Sequence, residues 1–273
     1  MKFVRMLNGW LCVLGLDLIS FGHALKNLAR SFPAMSRDFR RIKAQNRERF
    51  FSDDIQWSFP MATDRLAQAG TAHGGYFYQD LLVAQRIFEK KPHKHVDVAS
   101  RIDGFVAHVA AFREIEVFDI RPVSSQAKNI TFRQSDLMNL DPAMRNYADS
   151  ISSLHALEHF GLGRYGDPIN LHGHEDGFRS LVAMLRPGGT LYLSVPIGVQ
   201  RVEFNAHKIF SISTILDMAA GNCELRRFTY IDPHGLWHPE GTIESCQHDI
   251  ENLWPKVGYG LGIFEFEKTS ANI

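Results

Sequence analysis

Residues 96–120 read VDVASRIDGFVAHVAAFREIEVFDI, in which a short apolar segment, a helical segment and a second short apolar segment follow one another. The alternation continues along the chain. It predicts strands at 96–98, 115–120, 130–133, 148–154, 190–195, 225–231 and 262–267, and helices at 105–112, 175–185 and 211–220. Strands alternating with helices predict an α/β fold. We expect a Rossmann-like, doubly wound and mostly parallel sheet, covered on both faces, with residues 96–98 in its central strand.

Residues 1–92 are predicted to form a helical, basic extension that precedes the α/β domain of residues 93–273. Large apolar side chains recur in it at spacings of four and three, which predicts a helix with one apolar stripe. The stripe consists of Leu7, Leu11, Leu14, Leu18, Phe21, Leu25, Leu28 and Phe32. Pro33 and Ser36 predict a break before a basic helix through Arg49, and residues 76–90 return to helical spacing.

Charge is unevenly distributed along the chain. The first fifty residues hold ten Lys or Arg against three Asp or Glu, a net charge of +7, whereas the whole chain is neutral. This asymmetry predicts either a solvated helical face or a surface for lipid, nucleic acid or an acidic partner. We expect the apolar stripe to be buried on the domain's own core, against a second copy in a homodimer, or in peripheral membrane contact. No nucleic-acid partner is expected.

Composition places the chain among ordinary globular proteins, with 45% hydrophobic and 22% charged residues. Its three cysteines, Cys12, Cys223 and Cys246, are scattered, which argues against a disulfide framework and favours a reducing compartment such as the cytoplasm. The apolar segment 10–16 is too short to span a bilayer, and no cleavage site makes it a signal peptide.

Ligands of doubly wound sheets bind at the carboxyl ends of the strands, so the residues after each predicted strand are candidates for a site. The first predicted strand is followed by Ala99, Ser100, Arg101 and Gly104. Asp119 ends the second strand and can bind a ribose diol, and Asp136 with Leu137 follows the third. His155, Glu158 and His159 follow the fourth. The two aspartates have a second interpretation, because acids at strand ends also cap helices.

These segments resemble the motifs of class I S-adenosylmethionine-dependent methyltransferases. Residues 96–100 are similar to the first motif, and residues 185–191, LRPGGTL, to the turn before the fifth strand. The resemblance implies that Asp119 binds the ribose and that Asp136 lies beside the adenine, with residues 99–101, Gly104, Leu137 and His155 completing the cofactor site. Residues 161–167 and 204–207 further resemble a little-studied methyltransferase-like group of unknown function, DUF268.

One departure from the family concerns its glycine-rich turn, through which the backbone passes close to the cofactor. The first two glycine positions hold Ala99 and Arg101, and Gly104 is displaced by one residue. Arg101 either obstructs the cofactor or grips its carboxylate as a charged donor.

Acid–base chemistry is predicted at His159, His207 and Glu158. His159 follows strand four and His207 follows strand five, so both should overhang one crevice, where a neutral imidazole can accept a substrate proton. Arg164, Asp167 and Asn205 are predicted to bind the substrate. The alternative is that Glu158 caps the next helix and His207 is structural.

Three functions remain open from the sequence. The first is an S-adenosylmethionine-dependent methyltransferase that acts on a small molecule or glycan precursor. The second is an inactive, methyltransferase-like scaffold. The third is a metal-dependent hydrolase or lyase that uses the pairs His172 with His174 and His234 with His238. We expect no metal, because Pro233, Gly235 and Pro239 keep the second pair off a helix.

Overall fold

The structure is a computed structural model that describes residues 11–12, 15–45, 55–58, 61, 64–70, 72–124, 126–254 and 258–269. The chain divides into two compact units, Met1–Ala72 and His73–Ile273. Each unit is described by itself.

The first unit is built on one long helix, α1, at Leu18–Gln45. The helix predicted along the whole stripe is interrupted before Leu18, because Gly15 has a φ of +76° and its N–H donates to the Cys12 carbonyl, which ends the preceding turn. Asp17 caps α1 by accepting the Ser20 N–H at 3.1 Å. Leu7, Leu14, Arg47 and Arg49 lie outside the described residues.

The predicted break at Pro33 and Ser36 is wrong, since α1 continues through Pro33. A proline removes a single N–H from the helix ladder, and the turns on both sides of it retain theirs. The second half of α1 also packs against the segment that follows, because the rings of Phe32 and Phe39 lie 5.7 and 5.0 Å from that of Trp57.

The apolar stripe is not buried by the described residues of its own unit. Leu18, Phe21, Leu25, Leu28 and Phe32 remain 41–62% exposed. Their burial on the α/β domain, against a second copy or against lipid stays a prediction.

The second unit is an eight-stranded sheet with helices on both faces. Its strands are β1 His95–Val98, β2 Ile115–Asp119, β3 Ile130–Gln134, β4 Ala148–Leu154, β5 Leu185–Gly198, β8 Cys223–Ile231, β9 Trp237–His238 and β10 Tyr259–Lys268, and a separate hairpin comprises β6 Arg201–Glu203 and β7 His207–Ile209. The helices are α2 Gly75–Lys90, α3 Ala107–Ala110, α4 Gly173–Met184, α5 Ile212–Ala219 and α6 Ile243–Asn252.

The strand order is β3-β2-β1-β4-β5-β10-β8-β9. β1 pairs in parallel with β2 and β4 and is buried along its whole length, which confirms the predicted central strand. β10 runs antiparallel between β5 and β8, and the edge strand β9 runs antiparallel to β8, so six strands share one direction and two are reversed. The predicted α/β fold is confirmed.

Three local features differ from the prediction. Residues 186–189 form a bulge inside β5 rather than a turn before it, because Ala148 pairs with Leu185 and Ser150 pairs with Thr190. The helix expected at 105–112 begins as a π-helical turn, Ile102–Val106, and continues as α3. The β6–β7 hairpin, β9 and α6 had not been predicted.

Packing on one face of the sheet involves α2. Its side chains Val83, Ala84 and Ile87 are buried in the cluster that also contains Val109 and Val117. The other face is covered by α4 and α5, through side chains such as Phe178 and Ile215. The carboxyl ends of β1, β2 and β4 therefore open between two packed layers.

Within the described residues, no helix has both the length and the apolar content needed to cross a bilayer.

Candidate functional site

A cavity of about 750 Å³ lies at the carboxyl ends of the strands. Of the predicted site residues, Gly104 and Asn205 do not line the cavity. The predicted residues that do line it are Ala99, Ser100, Arg101, Asp119, Asp136, Leu137, His155, Glu158, His159, Arg164, Asp167 and His207. Sequence reasoning missed other lining residues, including Tyr76, Arg121, Tyr165, Asp232 and Tyr259. The cavity has the size of ordinary small-molecule sites, about 300–1,000 Å³.

The turn after β1 is held from beneath by a buried carboxylate. Oδ1 of Asp97 accepts the hydroxyls of Ser100 and Ser152, both at 2.6 Å, and Oδ2 accepts the Ser100 N–H at 3.0 Å. Ser100 Oγ in turn accepts the Leu154 N–H at 3.0 Å, which joins the ends of β1 and β4. Burial raises the pKa of Asp97 to about 6, although these hydrogen bonds oppose the shift.

Two residues of this turn explain its unusual sequence. Ala99 has a φ of +59°, a left-handed conformation that favours glycine, so the position has a backbone conformation suited to glycine although it carries alanine. Gly104 does not line the cavity. A Cβ there would lie 2.5 Å from Oδ2 of the buried Asp80, so this glycine serves close packing.

Arg101 lies on the rim of the cavity. Its Nε and Nη2 donate to Asp103 at 3.1 and 2.8 Å, and its guanidinium lies 5.1 Å from the Tyr76 ring. The side chain is therefore engaged within its own turn and by an aromatic neighbour.

Asp119, at the end of β2, is buried and already accepts three hydrogen bonds from Arg121. The backbone N–H donates at 2.8 Å, Nε at 3.1 Å and Nη2 at 2.7 Å. The Arg121 guanidinium also stacks 4.2 Å from the Tyr165 ring. A ribose that binds Asp119 must therefore replace the guanidinium. Asp136 makes a local bond too, accepting the Met138 N–H at 2.9 Å.

A carboxylate and two imidazoles meet after β4. Glu158 is 1% exposed, and its Oε1 lies 2.7 Å from His155 Nδ1, which donates to it, and 3.7 Å from His159 Nε2. Burial raises the pKa of Glu158, but the charges of His155 and His159 and the hydrogen bond from His155 hold it below its ordinary value. Its other oxygen, Oε2, is buried and has no hydrogen-bond partner among the described residues.

His159 is held in one tautomer. Its Nδ1 lies 2.7 Å from the Ala206 carbonyl, which can only accept, so Nδ1 carries the proton and Nε2 is the basic atom of the neutral ring. Burial lowers the pKa of His159 more than the nearby Glu158 raises it. The ring is therefore neutral near neutral pH, and Nε2 can accept a proton.

His207 and Asn205 belong to the hairpin that sequence reasoning missed. His207 begins β7, and its ring lies 6.5 Å from that of His159 and 5.0 Å from that of Tyr259. Its Nε2 is buried and, in the described part of the chain, has no hydrogen-bond partner. Burial lowers its pKa. Asn205 is exposed in the turn, one residue from the carbonyl that holds His159.

The loop after Phe160 is organised by Asp167. Its Oδ2 accepts the N–H groups of Gly161 and Gly163 at 2.8 and 3.1 Å, and its Oδ1 accepts that of Tyr165 at 3.1 Å. Both oxygens are thus engaged with the backbone. The loop presents Arg164, whose Nη1 donates to the Ala206 carbonyl at 2.7 Å beside His159.

The histidine pairs considered for a metal do not converge. His172 pairs with Glu175, and His238 lies 3.4 Å from Asp232. Across the described ranges, no three His, Cys, Asp or Glu side chains are grouped so as to hold a metal ion.

The cavity suits an adenosyl ligand on its own geometry. The Asp119 carboxylate reaches the cavity from the end of β2, where a ribose diol is bound in doubly wound sheets. The β1 turn supplies the left-handed backbone that allows close approach. The unpartnered Glu158 Oε2 is a buried acceptor that a ligand can satisfy.

Comparison with known proteins agrees with this geometry. Residues 117–231 match the family model described as Caenorhabditis protein of unknown function, DUF268. No protein with a curated description shows significant sequence similarity to the chain.

Many solved structures share its fold, and two of them serve as examples. One is the 1,6-didemethyltoxoflavin-N1-methyltransferase of Burkholderia thailandensis with bound 1,6-didemethyltoxoflavin and S-adenosylhomocysteine, at a TM-score of 0.50 and 13% identity over 70% of this chain and 79% of that one. The other is the cyclase SpnF, at a TM-score of 0.50 and 15% identity over 81% of this chain and 87% of that one. Both resemblances drawn from the sequence are confirmed: the second unit has the fold of the class I S-adenosylmethionine-dependent methyltransferases, and residues 117–231 match DUF268.

Proposed function

We propose that the protein is an S-adenosylmethionine-dependent methyltransferase that methylates a hydroxyl group of a small molecule or glycan precursor. The observation that carries the proposal is His159. Its tautomer is fixed so that Nε2 is basic, and it shares a cavity with Asp119 and the β1 turn.

The residues that would hold the cofactor come from the ends of three strands. The turn at Ala99 and Ser100 would contact the methionine part, Asp119 the ribose, and Asp136 with Leu137 the adenine. When bound, S-adenosylmethionine supplies a methyl group on sulfur and leaves as the thioether S-adenosylhomocysteine. Binding both substrates in one cavity aligns the acceptor oxygen with the methyl carbon, which is the main source of rate in such a transfer.

Proton removal falls to His159. His159 Nε2 would accept the proton of the acceptor hydroxyl, and Glu158, whose Oε1 lies 3.7 Å from Nε2, would stabilise the resulting imidazolium. The Ala206 carbonyl keeps Nδ1 protonated and the ring in place. Arg164, which donates to the same carbonyl, lies where its remaining N–H groups can donate to acceptor oxygens.

A second candidate is a binding protein on the same fold that transfers no methyl group. The observation in its favour is the triple hydrogen bond from Arg121 to Asp119, which occupies the carboxylate that a ribose would use. In addition, the fold is shared with a protein named as a cyclase, and a fold by itself does not select a chemistry.

Calorimetric titration with S-adenosylhomocysteine separates the two candidates. The methyltransferase should bind it, and Asp119→Ala should weaken binding by about ten- to a hundredfold, because a charged hydrogen bond contributes about 1.5–3 kcal/mol. Glu203→Ala, an acid outside the cavity lining, is the matched control and should bind like the wild type. A wild type that does not bind even at millimolar ligand favours the binding-protein candidate.

Hydroxylated sugars and nucleotide sugars are then assayed as methyl acceptors. Methyl transfer is measured by the formation of S-adenosylhomocysteine. Cofactor binding without turnover on any acceptor would leave the fold assignment intact but would contradict the proposed class of acceptor.

A further inference from the structure

Helix α1 carries an apolar stripe that the described residues of its own unit leave uncovered. Leu18, Phe21, Leu25, Leu28 and Phe32 follow one another at spacings of three and four, so they lie on one side of the helix, and each is between 41% and 62% exposed. A protein surface normally exposes large apolar side chains singly, whereas five of them are exposed side by side along α1.

The same helix is strongly basic. It contains six Lys or Arg and a single acid, Asp38, and no acid in its first turn. Asp38 already pairs with Arg65 of the same unit. At 100° per residue, Lys26, Arg30, Arg37 and Arg41 fall on the side roughly opposite the apolar stripe. One side of α1 is therefore apolar and the other cationic over most of its length, and Lys43, in the last turn, is a basic residue on the side of the stripe.

We propose that α1 binds the surface of a lipid bilayer that contains anionic headgroups. A helix with leucine and phenylalanine on one side and Lys or Arg on the other lies in the plane of the interface, with its apolar side among the acyl chains. Six cationic side chains would be costly in the hydrocarbon core, so the helix lies flat. This interaction is independent of methyl transfer.

Charge complementarity selects lipid over the other occupants of the stripe. Each Lys or Arg that lies near an anionic membrane surface is attracted to it. A second copy packed through the same stripe would bury the apolar sides of both helices but would offer no anionic partner to the basic side chains, four of which lie opposite the stripe. Nucleic acid would satisfy the cationic side but would leave Phe21 and Leu25 in water.

The second half of α1 adds an interfacial aromatic residue. Trp57 packs on Phe32 and Phe39 and remains 42% exposed. Tryptophan is enriched where one end of a side chain meets acyl chains and the other meets water.

Vesicle sedimentation with the full chain tests the proposal. The protein should pellet with phosphatidylcholine vesicles that contain phosphatidylserine, should bind pure phosphatidylcholine more weakly, and should lose binding as salt is added. Phe21→Ser with Leu25→Ser should lower the affinity at least about tenfold, because the substitutions remove two large apolar side chains that would be buried among the acyl chains. Lys26→Glu with Arg30→Glu should abolish the preference for phosphatidylserine.

The matched control is Ile169→Ser, which removes a side chain of similar size that is 75% exposed in the second unit. It should bind vesicles like the wild type. Circular dichroism identifies any variant that fails to fold, and the salt dependence of the wild type then still tests the proposal.

Four outcomes would overturn the proposal. The first is vesicle binding that the apolar double variant leaves unchanged, and the second is binding as strong to pure phosphatidylcholine. The third is a wild-type dimer in sedimentation velocity that Phe21→Ser with Leu25→Ser dissociates, which would show that a second copy covers the stripe. The fourth is a monomer that binds no vesicle, which would show that the chain itself covers it or leaves it in water.

Discussion

The two halves of the cavity differ in how their polar groups are satisfied. In the half formed by β1 to β3, Asp97, Asp119 and Asp136 all accept hydrogen bonds from neighbouring residues. In the half formed by the β4 loop and the β6–β7 hairpin, Glu158 Oε2 and His207 Nε2 are buried and, among the described residues, have no partner. A buried polar atom without a partner costs about 1–3 kcal/mol, so the second half is the one in which a ligand gains most by binding.

The contrast assigns different tasks to the two halves. The polar groups of the first half already bond one another. A cofactor that binds there must replace at least one of these interactions, the ion pair between Arg121 and Asp119. The second half holds its basic atom, His159 Nε2, in place but leaves acceptors open beside it. If the contrast is correct, substitutions in the second half should affect rate, and substitutions in the first half should affect binding or stability.

The largest effect is expected at His159. His159→Gln removes the proton acceptor while retaining a side chain that can hydrogen-bond, so the rate of methyl transfer should fall by about a hundred- to ten-thousandfold. S-adenosylhomocysteine binding should be unchanged, because His159 belongs to the acceptor half. The rate is measured in single turnovers with an acceptor found as described above. A variant that transfers methyl groups at the wild-type rate would contradict the assignment of proton removal to His159. His207 would then be the next candidate for the base.

The next largest effect concerns the pH dependence of folding through Asp97. Because burial raises the folded-state pKa of this acid to about 6 from an ordinary value of 3.8, its contribution to stability is fully present below pH 3.8. It is lost as pH rises through 6, by about 3 kcal/mol in total.

Asp97→Asn cannot ionise, so the difference in unfolding free energy between wild type and variant should change by about this amount across that window. Chemical denaturation of both proteins at several pH values measures it. Ser152→Ala, which removes one hydrogen bond to the carboxylate, should retain the wild-type trend. A difference that is independent of pH would show that Asp97 titrates normally.

A smaller effect is expected at Arg121. Its side chain is 48% exposed, and exposed ion pairs contribute about 0–1 kcal/mol, so the guanidinium is a weak competitor for Asp119. Arg121→Ala should tighten S-adenosylhomocysteine binding by up to about fivefold, measured by calorimetry. Weaker binding by the variant would mean that Arg121 contacts the ligand, and the first half would then be incomplete without it.

The sequence predicted the parts of this molecule that depend on local pattern. β1, β4 and the acids that follow the strands were located because apolar periodicity fixes each strand and the strand end fixes the residue after it. It also placed His159 correctly in the crevice, since only the end of β4 had to be known.

Sequence reasoning failed where distant contacts decide the structure. The β6–β7 hairpin has strands of three residues, too short for a periodic signal, yet it supplies His207 and the Ala206 carbonyl that fixes the tautomer of His159. Gly104 was assigned to the cofactor site because glycine is expected close to the cofactor. In the structure, the close approach of Asp80, on another helix, leaves no room for a Cβ at this position. α1 passes through Pro33 against the local signal of the sequence.

The smallest effect, at Ala99, tests whether the first half retains the family turn. Its φ of +59° is costly for alanine and free for glycine, so Ala99→Gly should relieve about 1 kcal/mol of strain, less the extra entropy that glycine has in the unfolded chain. The free energy of unfolding, from urea denaturation, should therefore rise slightly or stay equal, and S-adenosylhomocysteine binding should not weaken. Ala156→Gly is the matched control: Ala156 also lines the cavity but has a negative φ, so the substitution should only destabilise. If Ala99→Gly destabilises the protein as much as Ala156→Gly does, the turn after β1 does not need the conformation that glycine supplies in related proteins, and the replaced glycine there reflects a different binding mode.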